Sequence, residues 1–368
     1  MKTAIIKEIA NEFCANFVKI NTSNLAEPSD LVGFPQREYY VCKMDPEHPE
    51  NDDCAWITTE LLTAYETLGY KLTDETRMGY AIPAWLKNFR EGELNILLID
   101  DWTRSTPAII NALYDIIYQQ EYISWKLPSN THICLSANPD NGNYMVTSID
   151  EAAASRMVTF NVKFDLDSWA KWAEENELDN RAINFLLSYG YELMDRSVAK
   201  EAKVNARNYT MFSNIISGID DWSKPANLAT ILQIASGCFL DDDDIVGGLF
   251  TTFIGNKLDK LLTPEELITK DWKYVKHELE KCLYDGKNYR ADIGSIITTR
   301  FINYSLHYFS KKGSKTDLVI NRILDLIDND QVLLTEDLIY NLARTLNDKY
   351  PVKCNKLLLN PKILAKLV

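Results

Sequence analysis

The chain has 368 residues, 46% hydrophobic and 25% charged, which is enough to bury a sizeable core in roughly two to three domains. Its formal net charge of -14 and pI near 4.9 argue against a surface built chiefly to neutralise phosphate backbones, so nucleic acid is not the expected partner. No run approaches the roughly 18–20 apolar residues of a membrane span, and the N-terminus lacks the apolar segment of a secretory signal, so the expectation is a cytoplasmic protein.

Ile5, Ile6, Ile9, Ala10, Phe13 and Phe17 recur at helical spacing, which predicts an amphipathic helix over residues 3–17. Residues 17–21 then read as a short strand, and residues 22–36, punctuated by Pro28, Gly33 and Pro35, as a polar loop. Within residues 37–60, the acidic, proline-interrupted stretch 45–53 has nothing apolar to bury and reads as an exposed loop, with His48 solvated in it. The clearest strand is 94–99, apolar enough for the middle of a parallel sheet covered on both faces, and it ends in Asp100-Asp101. Ser105 or Thr106 then caps a helix that accepts Pro107 in its first turn and buries Ile109, Ile110, Leu113, Ile116 and Ile117.

Residues 122–127 are short and β-prone, and residues 132–136 form a strand ending in Ala137-Asn138-Pro139. A short helix over 148–154 and a strand over 157–162 complete the series. The alternation of strands and helices predicts an α/β core with a parallel sheet and helical crossovers. From residue 167 the composition shifts to helix formers, with no further strand expected. The domain reading is an α/β core over 1–166, a helical lid over 167–224 and a C-terminal helical domain over 225–368, with Trp222-Ser223-Lys224-Pro225 at the second boundary.

The seven cysteines (Cys14, Cys42, Cys54, Cys134, Cys238, Cys282, Cys354) are odd in number, scattered and never in a C-x-x-C pair. Buried free thiols are therefore expected rather than a disulfide framework or a zinc site. The run from Asp241 to Asp244 reads as a solvated helix start rather than a cation site, and Trp169 and Trp172 as packing residues.

In an open α/β sheet, ligands bind outside the carboxyl ends of the strands. Here Asp100 and Asp101 follow one strand and Asn138 another. Nucleotide hydrolases use such an acidic pair to hold magnesium and orient an attacking water, although paired aspartates at a strand end are also common turn formers.

The order of the segments resembles a MoxR-type AAA+ ATPase over roughly residues 1–260. Lys2-Thr3 resembles the end of a Walker A loop, and Asp30-Leu31-Val32-Gly33-Phe34-Pro35 the Asp-Leu-hydrophobic-Gly segment that follows it. Leu97-Leu98-Ile99-Asp100-Asp101 resembles Walker B, and Ser136-Ala137-Asn138-Pro139 resembles sensor 1. Ala154-Ser155-Arg156 resembles the arginine-finger position, and Asn205-Ala206-Arg207 the sensor 2 motif of the lid.

The resemblance implies ATP and Mg2+ as cofactors. Lys2 would sit on the β- and γ-phosphates, Thr3 would place its hydroxyl on the ion, and Asp100 would hold that ion through its water shell. Asp101 would polarise the attacking water, Asn138 would orient it, and Arg156 would reach the γ-phosphate of the next subunit, with Arg104 a second contact across that boundary. Arg207 would report nucleotide state to the lid. The same resemblance implies a homo-oligomeric ring, expected to be hexameric, that remodels a protein client.

It also implies a three-layer core lacking its first strand and phosphate loop, because Met1 stands where G-x-x-x-x-G-K-[ST] has its second glycine. Asp101 stands where the family usually has glutamate, so the expected hydrolysis is slow. The alternative is a non-catalytic AAA-like scaffold whose acidic helical region serves as a docking surface.

Overall fold

A strand with neighbours on both sides and cover on both faces must be apolar throughout, and residues 94–99 carry that signature. In a computed structural model, which describes residues 2–44, 53–138, 154–194, 204–240, 243–311, 316–328, 332–361 and 363, this segment is the central strand of a parallel sheet. The chain divides into two units, Met1–Val162 and Lys163–Val368.

The first unit opens with helix α1 (Lys2–Glu12) and strand β1 (Asn16–Asn21). A short helix α2 (Pro28–Val32), strands β2 (Pro35–Lys43) and β3 (Asp53–Thr58), helix α3 (Leu62–Thr67) and strand β4 (Lys71–Tyr80) come next. Strand β5 (Asn95–Asp100), helix α4 (Pro107–Gln119), the hairpin of β6 (Glu121–Tyr122) and β7 (Trp125–Lys126), and strand β8 (Thr131–Leu135) complete it. The parallel sheet has the order β1-β5-β8, with Asn21 in register with Asp100 and Ile99 with Leu135. Every residue of β5 is buried. Val18, Ile20, Leu97 and Ile99 of the sheet share one core with Leu31 and Val32 of α2 and Ile109, Leu113 and Ile116 of α4. The α/β alternation and the parallel order of three strands are thus present.

Several local expectations are corrected. Helix α1 ends at Glu12, and of its apolar stripe Ala10 is buried while Ile5, Ile9 and Phe13 are exposed. The stretch 22–36 is not all loop: Pro28 starts α2, and the Asp30 carboxylate in its first turn accepts the N–H groups of Ala26 and Glu27 at 3.0 and 3.1 Å. A separate antiparallel sheet, ordered β3-β2-β4, has no counterpart among the elements expected from sequence. Its strands are mostly half-buried or exposed, so they lack the apolar alternation that would announce them.

That sheet also corrects the cysteine reading. Cys42 and Cys54 stand opposite each other in the β2–β3 register, with Cα atoms 4.1 Å apart, and are joined by a disulfide. Cys14, Cys134, Cys238, Cys282 and Cys354 are free, and Cys14 is exposed rather than buried. Residues 157–162 form no strand; Val158, Phe160 and Val162 are exposed, and among the described residues β8 remains an edge of its sheet. His48 and the helix expected over 148–154, apart from Ala154, lie outside the described residues.

Among the described residues the second unit is helical from Leu166–Glu175 to Pro351–Leu358, with one unexpected hairpin of two-residue strands, Tyr284–Asp285 with Asn288–Tyr289. One buried cluster runs from Leu166 to Ile363. Trp222, at the expected inner boundary, is fully buried with its ring 5.3 Å from that of Phe250. Trp169 packs edge-on against Tyr209 at 5.5 Å, whereas Trp172 is 42% exposed. Asp243 opens the helix Asp243–Gly255, and Asp241 and Asp242 lie outside the described residues. No helix among the described residues is long and apolar enough to cross a membrane.

Candidate functional site

Parallel strands deliver their carboxyl ends to one edge, and here that edge gathers the polar residues that follow each strand. Strand β5 ends in Asp100, which is 8% exposed. Its Oδ2 accepts the Thr3 hydroxyl at 2.9 Å and lies 2.6 Å from the Lys19 ammonium, while its Oδ1 accepts the Ser136 hydroxyl. Burial works against the charge of Asp100, yet the hydrogen bonds from Lys19, Ser136 and Thr3 outweigh it and hold the carboxyl below its ordinary range. The first turn of α1 carries Thr3, so the positive end of the helix dipole favours the same charge.

The next residue, Asp101, turns the chain into the left-handed region at φ 52°, a conformation that aspartate tolerates better than most residues. Its N–H donates to Ser136 Oγ at 3.2 Å. The Ser136 N–H in turn donates to the Ile99 carbonyl at 2.9 Å, and the Trp102 N–H to the Ser136 carbonyl at 3.2 Å. One serine thus ties the turn after β5 to the turn after β8. From α1, the Lys2 ammonium donates to the Ala137 carbonyl at 2.5 Å and to Asn138 Oδ1 at 2.8 Å.

Lys2, Thr3, Asp100 and Asn138, four of the residues singled out in the sequence, therefore meet at one edge of the sheet. Lys19 has no role in the sequence reading, and Ser136 enters it only as the first residue of the segment that resembles sensor 1. Asn21 is in register with Asp100, and Lys19 stands two residues earlier on the same face of β1, within diagonal reach of the carboxylate. A single cation inside an otherwise apolar strand was a usable signal, but only the strand register says which acid it meets.

Arg104 is exposed in the turn after Asp101, its N–H donating to the Asp101 carbonyl at 2.9 Å. Arg156 is exposed, with its guanidinium 4.9 Å from the centre of the Tyr118 ring on α4. Arg207 belongs to the second unit, exposed in the first turn of the helix Ala206–Ile216, where its N–H donates to the capping Asn205 side chain at 3.0 Å.

Lys2 is the group at this edge suited to a phosphate. The donor set for a divalent cation is a hydroxyl and a carboxylate, both oxygen ligands of the right kind for magnesium. It does not suit such an ion as arranged: Thr3 and Lys19 fill both lone pairs of Asp100 Oδ2, Ser136 takes one of the two on Oδ1, and the Lys19 ammonium against the carboxylate repels a second cation. Among the described residues no group of three or more His, Cys, Asp or Glu side chains is placed to hold a metal.

No family model matches the chain, and neither a curated protein nor a solved structure matches it.

Proposed function

We propose that the first unit is a nucleotide-binding module of the AAA+ type, similar to MoxR proteins. In this reading Lys2 leaves Ala137 and Asn138 to meet the phosphates of ATP. Copies of the chain form a ring in which Arg156 releases Tyr118 and reaches the neighbouring nucleotide, and the helical unit passes the change to a protein partner. The observation that supports it most is the convergence of Lys2, Thr3, Asp100 and Asn138, drawn from three distant segments, at the carboxyl edge of a parallel sheet.

A second reading, a non-catalytic AAA-like scaffold, is favoured by one observation: the Lys19 ammonium already neutralises the carboxylate that would hold the catalytic ion. Equilibrium ATP binding, measured on this chain and on a form extended upstream of Met1, separates the two. ATP binding by either form, weakened at least about tenfold by Lys2→Ala, supports the nucleotide module. Failure of both forms to bind removes it in favour of the scaffold.

A further inference from the structure

A magnesium site of the nucleotide-hydrolase kind needs a carboxylate with an acceptor position turned toward the phosphates, to take the ion or a water of its shell, because the ion keeps several waters in near-octahedral geometry. At Asp100 three of the four acceptor positions are taken, one of them by a cation. Oδ2 receives the Thr3 hydroxyl at 2.9 Å and the Lys19 ammonium at 2.6 Å. The other oxygen receives Ser136, whose hydroxyl also accepts the Asp101 N–H and so cannot swing away without loosening the turn after β5. Lys19 is solvent-exposed, with its side chain 38% accessible, but the β1–β5 register sets its base two residues before the partner of Asp100, on the same face, and its ammonium meets that carboxylate.

We infer that Lys19 is the resident cation of this site: its ammonium takes the place at Asp100 that a divalent metal would occupy, and the edge of the sheet accepts a polyphosphate without a metal ion. A metal at Asp100 must either displace the lysine or stand beside it, and the Coulomb repulsion between the two cations opposes its entry. The choice of polyphosphate rests on the nucleotide reading above; the exclusion of the metal does not.

Mn2+ binding followed by electron paramagnetic resonance on the full chain, without nucleotide, tests the exclusion. The wild-type chain is expected to bind Mn2+ no more tightly than Asp100→Asn. Lys19→Met gains at least about tenfold, a gain lost again in Lys19→Met/Asp100→Asn, while Lys19→Arg stays like the wild type. Lys19→Gln serves in place of Lys19→Met should circular dichroism show the latter unfolded. Equal Mn2+ affinity in the wild type and in Lys19→Met or Lys19→Gln overturns the assignment.

ATP titrations in EDTA and in Mg2+ keep the two ideas apart. Equal affinity in both buffers supports metal-free binding. Binding strengthened about tenfold or more by Mg2+ in the wild type sinks the role of Lys19 and spares the nucleotide module. ATP binding absent throughout, with the Mn2+ gain present in Lys19→Met, removes the module and the polyphosphate and leaves the metal exclusion standing.

Discussion

The Thr3 hydroxyl donates to Asp100 Oδ2 at 2.9 Å, joining the first turn of α1 to the end of β5 across 97 residues of sequence. Asp100 serves two further donors, Lys19 and Ser136, so the two ends of this bond are not equivalent. Thr3→Val removes one donor and leaves the carboxylate satisfied, at a cost of about 0.5–1.5 kcal/mol. Asp100→Asn withdraws charge from three donors and leaves Lys19 without its counter-ion, and is expected to cost more. Urea unfolding of the two variants gives the order, and a larger loss in Thr3→Val would contradict it.

In the second unit Arg300, 2% exposed, donates from Nε to Glu174 Oε1 at 2.5 Å, from Nη1 to Asn184 Oδ1 at 2.9 Å and from Nη2 to Asn180. Three side chains from two other helices are thereby fixed by one guanidinium. A buried ion pair contributes little net stability over an apolar pair, but breaking one side strands a charge, at about 3–5 kcal/mol. Glu174→Ala should reach that range by chemical denaturation, and Glu174→Leu/Arg300→Met should recover most of it. Additive losses in the single and double variants would show that the pair is not coupled.

The elements legible in the sequence were those whose local pattern and tertiary role agree. Strand β5 is apolar because it is buried on every side, and α4 shows its stripe because Ile109, Leu113 and Ile116 face the sheet. Strands β2, β3 and β4 were not legible because much of their surface is exposed, and the disulfide between Cys42 and Cys54 depends on their register. The site shows the same division. Asp100 and Asn138 follow apolar strands and could be placed from sequence, whereas Lys19 acquires its role only from the neighbour that β1 takes in the sheet.

Asp259 gives the pH dependence of stability a definite sign. It is 7% exposed, its Oδ1 has no hydrogen-bond partner among the described residues, and its Oδ2 lies 3.5 Å from Lys260 Nζ. Burial raises its pKa above the ordinary aspartate value, and the nearby lysine only partly opposes that shift. A carboxyl with a raised folded-state pKa binds its proton more tightly in the native state. Its effect on stability is therefore most favourable below the unfolded-state pKa and is lost as pH rises through the folded-state value. Asp259→Asn should stabilise the protein at neutral pH, and the advantage should shrink as pH falls through the raised folded-state pKa and be gone below about 4. Thermal unfolding of both proteins between pH 3 and pH 7 reads this out, and a gain that grew toward acid would reverse the assignment. Asp100, with a lowered pKa, contributes in the opposite sense, its stabilisation being lost as pH falls.

Gly33 closes α2 at φ 91°, with its N–H donating to the Ser29 carbonyl at 2.9 Å. A Cβ there would strike the Ala81 backbone carbonyl, and Ala81 cannot easily retreat because its own N–H donates to the Phe34 carbonyl at 2.9 Å. Gly33→Ala therefore combines left-handed strain with a backbone collision, and its expected cost exceeds about 2 kcal/mol. Gly92, at φ 79° with open space for 4 Å around the position a methyl group would take, isolates the first contribution. Gly92→Ala should cost about 1 kcal/mol, the ordinary penalty for an alanine held in that region. Equilibrium unfolding of the two variants gives the difference, which belongs to the contact between the α2 cap and the segment after β4. Equal losses would mean that Ala81 yields freely and that this junction is looser than its hydrogen bonds imply.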